Sequence, residues 1–411
     1  MQSQIREKFI LNDRILMILN FHCELNPFNL TAISNFKFYQ LFYSLLLVVE
    51  FIVINCYVFI GFNYVKNDFI SATQLFINII SAIQIYLNNY RLSKKYGELR
   101  KLLDATSSYF LFSNNKAKYI FKHNESKCTK IINIYFFMYI SACLGWILSP
   151  LLIKEYPLKR SDGSLVIYHN NILNSFLSFI PISVYERIYP IVYLLEAFEL
   201  AHICFEMFFY YTIVIQFCWM LSAQLKIITF KFESFGYKYV ELEQKNDSYY
   251  MKNLNQIFLD QTKINVSIKK FHEIMKPMTW FTFVYCLNLL NALTYVCILI
   301  YFKNDGVLSV TFVKILLATS VVIIDLFVIS YFYGYLENQM KVVQFAMYNI
   351  DWTKKSINFK KNLLLAMSLN NTNRLKMNIT PQKSLNLEVF GSAMRVSYSI
   401  ISLLAEKTIS R

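Results

Sequence analysis

Toward its end the chain reads Tyr331-Phe-Tyr-Gly334-Tyr-Leu336-Glu337-Asn-Gln339. After a basic interval it reads Ser397-Tyr398-Ser399-Ile400-Ile401-Ser402-Leu403-Leu404. The first stretch closes an apolar run that begins near residue 308. The second lies inside an apolar run from Leu385 to Glu406. At ~1.5 Å per residue, runs of this length cross a hydrocarbon core of ~30 Å as helices. Working outward, five more runs are long enough, near 38–60, 68–90, 129–153, 190–222 and 273–302. With 308–338 and 385–407 they predict an all-α membrane protein of seven transmembrane helices. The fourth run is unusually long. A polar amphipathic helix from about Lys252 is expected to continue into the fifth, because Leu254, Ile257, Phe258, Thr262 and Val266 recur near helical spacing. Pro277 is placed to kink it.

Composition agrees. Of 411 residues 56% are hydrophobic, 17% aromatic and 16% charged, with mean hydropathy +0.37. A soluble chain would be about 25% charged. The net charge of +15 does not indicate nucleic acid, because the basic residues stand between apolar runs and not in one patch. Six of the eight cysteines, Cys56, Cys143, Cys204, Cys218, Cys286 and Cys297, fall inside apolar runs, where a thiol acts as a small apolar group. Residues 1–20 mix charges with short apolar pieces and do not form a signal peptide. No internal repeat of the transporter kind is visible.

The connections set the orientation. Segments 1–37, 91–130, 223–272 and 339–384 hold 30 Lys and Arg, against 8 in 61–67, 151–189, 303–307 and 407–411. The expected N-terminus is therefore cytosolic and the C-terminus extracellular. The six sequons, at Asn29, Asn124, Asn246, Asn265, Asn370 and Asn378, then all fall inside. A G-protein-coupled receptor has the opposite orientation. Its acidic-Arg-aromatic triplet after span three and its Asn-Pro motif in span seven are both missing.

The terminal block quoted above, with Ala346, Tyr348 and Trp352 in the interval, resembles the C-terminal signature of the insect odorant receptors. The resemblance implies a channel in which the last helix of each of four subunits walls a central tetrameric pore for cations. It implies a cytosolic segment 1–37, a region 38–338 of six helices around an odorant cavity in its outer half, and a cytosolic anchor 339–384 for subunit contacts. Segment 385–411 would hold the pore helix and the extracellular C-terminus. Ser397-Tyr398 stands where the gustatory receptors and the odorant co-receptor carry Thr-Tyr, and Leu404 stands where they carry Gln. The connection 223–272 is short beside the co-receptor's insertion. These departures imply a ligand-tuning subunit that joins co-receptor subunits in a mixed tetramer, in the plasma membrane of olfactory sensory neurons. A gustatory-type channel is the alternative.

No catalytic constellation, metal-ligand spacing or cofactor motif is present. Charges inside spans need a partner or water, since one at a helix centre costs ~2.5–3.5 kcal/mol. Glu196, Glu199 and His202 follow one another at steps of three, as a cavity wall or a hydrated vestibule. Lys314 and Asp325 share a face ~16 Å apart, too far to pair. Glu50, in span one, is given no role. By depth, the resemblance implies that Ile77, Ile80, Tyr139, Gly145, Trp146, His202 and Thr311 bind the volatile ligand. Gly145 beside Trp146 either makes room for that ligand or permits close helix packing. In the last span Ser392, Arg395, Ser399, Ser402 and Glu406 form one polar stripe. The family register instead implies Ile401, Ser402 and Ala405 at the pore.

Overall fold

The computed structural model describes residues 69–106, 115–152, 155–159, 162–173, 180–235, 247–303, 310–353, 355–372, 375–380 and 382–409. The expected segment 1–37 and the first span, 38–60, lie outside these residues. The described elements are α1 (Phe69–Thr106), α2 (Asn115–Leu152), β1 (Glu155–Lys159), β2 (Leu165–His169), α3 (Ile182–Glu233), α4 (Asp247–Lys303), α5 (Val310–Tyr348), α6 (Ile357–Thr372) and α7 (Leu387–Ile409). By length and hydropathy α2, α3, α4, α5 and α7 can each cross a membrane.

Several helices outrun the apolar segments that announce them. α1 continues past residue 90 to Thr106, and α2 starts at Asn115 where the span was expected at 129. The extensions are polar overall but bury a stripe one side chain wide. Leu92, Leu99 and Leu102 are buried on α1, and Ala117, Phe121 and Cys128 on α2. Steps of three, four and seven keep these residues on one face.

α3 is the central helix. Its 52 residues span ~78 Å, far more than a bilayer core. From Glu206 to Leu225 nearly every side chain is buried, polar ones included. A helix hydrophobic all round, or nearly so, belongs inside a bundle. α1, α2, α4 and α5 surround it. Polar side chains tie these neighbours together. Tyr210 donates to Thr279 at 3.1 Å, and Thr279 bonds Tyr333 at 2.9 Å, joining α3, α4 and α5. Gln84 donates to Thr282 at 2.8 Å, and Ser81 bonds Tyr285 at 2.7 Å, joining α1 to α4.

α4 is continuous over 57 residues, with Pro277 inside it, as the amphipathic pattern suggests. Its buried stripe corrects that pattern in one respect. The stripe runs Leu254, Ile257, Ile264, Ile268, Phe271, Met275 and Met278, whereas Thr262 and Val266 are exposed. Repeated steps of four drift around a helix of 3.6 residues per turn, and alternating steps of three and four hold the face.

One element has no counterpart in the sequence reading. In the connection between α2 and α3, β1 and β2 form an antiparallel hairpin, with Tyr156 opposite Tyr168. Gly163 turns it at φ +87°, a conformation that favours glycine. The Ser164 N–H and hydroxyl both donate to Asp162 Oδ1, at 2.9 and 2.6 Å. Leu158 and Tyr168 sit in a small core with Leu75, Ala82 and Tyr185, which fixes the hairpin to α1 and α3.

Candidate functional site

Beyond β2 the chain turns into the bundle as Asn170–Leu173, and all four residues are buried. Side chains from four helices hold this short strap. The Ile172 carbonyl accepts from Trp146 Nε1 on α2 and from Lys314 Nζ on α5, both at 2.7 Å. The Ile172 and Leu173 N–H groups donate to Glu196 Oε2 on α3, at 2.9 and 3.2 Å. Asn78 on α1 donates to the Leu173 carbonyl at 2.9 Å. Tyr185 and Tyr189 donate to Asn171 Oδ1 and the Asn170 carbonyl, at 2.7 and 2.9 Å. Lys314 also lies 4.8 Å from the Trp146 ring centroid, a cation–π distance. Ile172 and Leu173 pack with Cys143 and Leu200, against Trp146, Ile147, Tyr193 and Cys204.

About three turns along α5 from Lys314, Asp325 is buried. Tyr135 donates to its Oδ1, and Tyr139 to its Oδ2 at 2.7 Å. The rings of Tyr135, Tyr139, Phe208 and Tyr211 surround this pair of bonds, with centroids 5.0 to 6.2 Å apart. A buried carboxylate needs such donors, because desolvation alone would expel it.

The sequence-derived residues divide among these surroundings. Tyr139 belongs to the Asp325 cluster, and the half-buried Ile77 and Ile80 pack against the same apolar core. Trp146 belongs to the strap. Gly145 is exposed, and a side-chain atom there would meet only Leu317, at 3.9 Å. His202 stands 3.5 Å from the buried Glu206, one turn along α3. Thr311 lies in the first turn of α5, and its side chain is outside the described residues. Glu196, Lys314 and Asp325 could be flagged as charges in apolar runs, but their partners could not be named. Lys314 and Asp325 indeed do not pair. Ile172, the centre of the strap, carries no signal in the sequence.

α7 is different. It begins at an Asn386 cap, whose Oδ1 accepts from Val389 N–H at 3.0 Å. Phe390 packs edge-on to Phe327 of α5, with centroids 5.8 Å apart. Further along, among the described residues, only Ser397 is buried. Arg395, Ser399, Ser402 and Glu406 are exposed, and Ile401 and Ala405 are half-buried. At the other end of the bundle a cleft of about 940 Å³ opens between α4 and α6, lined by Phe258, Thr262, Val266, Leu365 and Leu369.

These features define an all-α, multi-pass membrane protein with a buried polar site between its helices. No curated protein sequence matches the chain. Among solved structures it is similar to the insect olfactory receptor OR5 from Machilis hrabei. The TM-score is 0.67 at 14% identity, over 95% of this chain and 96% of that one. The structure of OR5 in complex with eugenol gives 0.65 at 14% identity, over 96% and 97%. At that identity the likeness is one of fold. The family model described as 7tm odorant receptor matches residues 66–398. The chain belongs to the odorant receptor family, a family of receptors and not of enzymes.

Proposed function

We propose that this chain is the ligand-tuning subunit of an olfactory cation channel, assembled with co-receptor subunits in a mixed tetramer. A volatile small molecule binds among α1, α2, α3 and α5, near Ile77, Ile80, Tyr139, Gly145, Trp146, His202 and Thr311. Its binding opens a cation pore walled by α7 from each subunit. The exposure of α7 carries this reading. From Leu387 to Glu406 Ser397 alone is buried in the single chain, and the exposed side includes Arg395, Ser399, Ser402 and Glu406. Polar groups at membrane depth require water or protein, so a partner or a pore belongs there. The exposed Leu364, Leu365 and Leu369 of α6, and the cleft beside them, suit subunit contacts through segment 339–384.

The basic asymmetry favours a cytosolic N-terminus, which puts the hairpin and strap on the extracellular side in the plasma membrane of olfactory sensory neurons. The related receptor solved with eugenol offers a first ligand to try. The test is whole-cell current from cells expressing this chain with and without the co-receptor, against a volatile panel that includes eugenol. A ligand-gated cation current that needs both chains is expected. Ligand-dependent uptake without current would replace the channel with a transporter.

A further inference from the structure

The strap presents one peptide group to a site with two poles. Lys314 and Trp146 form a donor pole on the Ile172 carbonyl, and Glu196 forms an acceptor pole on the Leu173 N–H of that same peptide, with the Ile172 N–H beside it. Beside the poles lies an apolar slot that holds the Ile172 and Leu173 side chains. Lys314 and Glu196 are both at least nine-tenths buried. If the strap simply left, both would lose partners in a place where water compensates poorly. Its departure, which also breaks the bonds from Asn78, Tyr185 and Tyr189, therefore costs least when something else takes over the two poles.

We propose that Asn170–Leu173 is a tethered occupant of the ligand chamber, and that the ligand exchanging with it is a small neutral alcohol with an aliphatic body. This rests on the receptor reading above and adds the ligand class and its built-in competitor. The two poles select the class. A carboxylate would place its charge against Glu196, and an amine would place its charge against Lys314. A hydroxyl is neutral and suits either pole, accepting from Lys314 or Trp146 or donating to Glu196. An aliphatic body then replaces the Ile172 and Leu173 side chains in the slot. A hydrocarbon fills the slot but leaves both poles bare, which is the reason it competes poorly.

The exchange is read by labelling Ile172→Cys with a polyethylene-glycol maleimide on permeabilised membranes, so that orientation does not matter. Label on the unsubstituted chain is subtracted. Ile167→Cys, at an exposed hairpin position, sets the unprotected rate. Slow labelling of Ile172→Cys at rest is expected. Octanol should speed it about tenfold, the effect of exchanging one charge-assisted hydrogen bond. Octane, octanoate and octylamine should leave it unchanged. Adding Lys314→Met should speed labelling without ligand, and Trp146→Phe, which removes one N–H and keeps the ring, should do so more weakly.

Labelling of Ile172→Cys at rest as fast as Ile167→Cys would overturn the seated strap. Octanoate or octane acting as strongly as octanol would overturn the ligand class, and no effect of octanol would overturn the exchange. Because the readout is covalent label and not current, a chain that labels as expected yet opens no conductance would overturn only the channel reading.

Discussion

The Tyr139 hydroxyl donates to Asp325 Oδ2 at 2.7 Å, across the contact between α2 and α5. Tyr135, one turn earlier on α2, donates to the other oxygen. The two helices are thus pinned by one carboxylate at a depth where water is scarce. Tyr139→Phe should leave the fold intact but remove one of the two hydrogen bonds to this carboxyl group, at a cost of ~1–3 kcal/mol. Asp325→Leu strands both hydroxyls and should cost at least as much. Thermal unfolding of the purified chain in detergent is the measurement, and an unchanged midpoint in both variants would remove the pin from the account.

Gly334 belongs to the signature block for a steric reason. A side-chain atom there would meet Asn386 Cβ at 3.3 Å and its backbone Cα at 3.4 Å. α5 and the start of α7 approach this closely because Gly334 has no side chain. Gly334→Ala should displace the Asn386 cap slightly, and Gly334→Val should cost ~1–3 kcal/mol by overpacking. Valine should also shift basal current, since α7 would move at its root. A variant with wild-type stability and wild-type basal current would count against this.

Lys231 and Asp260 join α3 to α4 at 2.9 Å, with the Asp260 side chain buried and Gln256 donating to it at 3.0 Å. Lys231→Met leaves a buried carboxylate with one neutral donor. The expected loss is ~3–5 kcal/mol, seen as low surface expression and a lowered unfolding midpoint. Replacing both residues, Lys231→Met with Asp260→Leu, should recover much of it. Failure of the double variant to recover would mean the pair does more than satisfy itself.

On α7, Ile401 is half-buried in the single chain, while Ser399 is exposed and donates to the Arg395 carbonyl at 3.1 Å. If Ile401 forms the constriction, Ile401→Ser should raise leak current without ligand, because a polar ring wets more readily. Ser399→Ala should change little. Basal current and ion selectivity, recorded with the co-receptor, separate the alternatives. Leak from the Ser399 variant alone would make the polar stripe the pore wall.

The assignment of sides is checked separately. An epitope before Met1 is expected to stain only after permeabilisation, and one after Arg411 without it. The opposite pattern would invert the strap and the pore together.

What the sequence by itself determined is what composition and period encode. Runs of about twenty apolar residues leave no structure but a helix, since the backbone must satisfy its own hydrogen bonds in a bilayer. Leu254, Ile257, Phe258, Thr262 and Val266 announced the polar half of α4 because a helix repeats every 3.6 residues, although the buried face goes on through Ile264, Ile268 and Phe271. Charges at Glu196, Lys314 and Asp325 could be flagged because they are costly where they stand. Only the tertiary structure decided their partners. Tyr139 and Asp325 are 186 residues apart, and Lys314 and Ile172 are 142 apart. No local pattern encodes such a pairing, because it depends on which helix faces meet. The hairpin did carry a local signal, Asp162-Gly163 ahead of Leu165-Val-Ile-Tyr168, in runs too short to register as a span. Ile172 became the centre of the site only when four helices closed around its backbone.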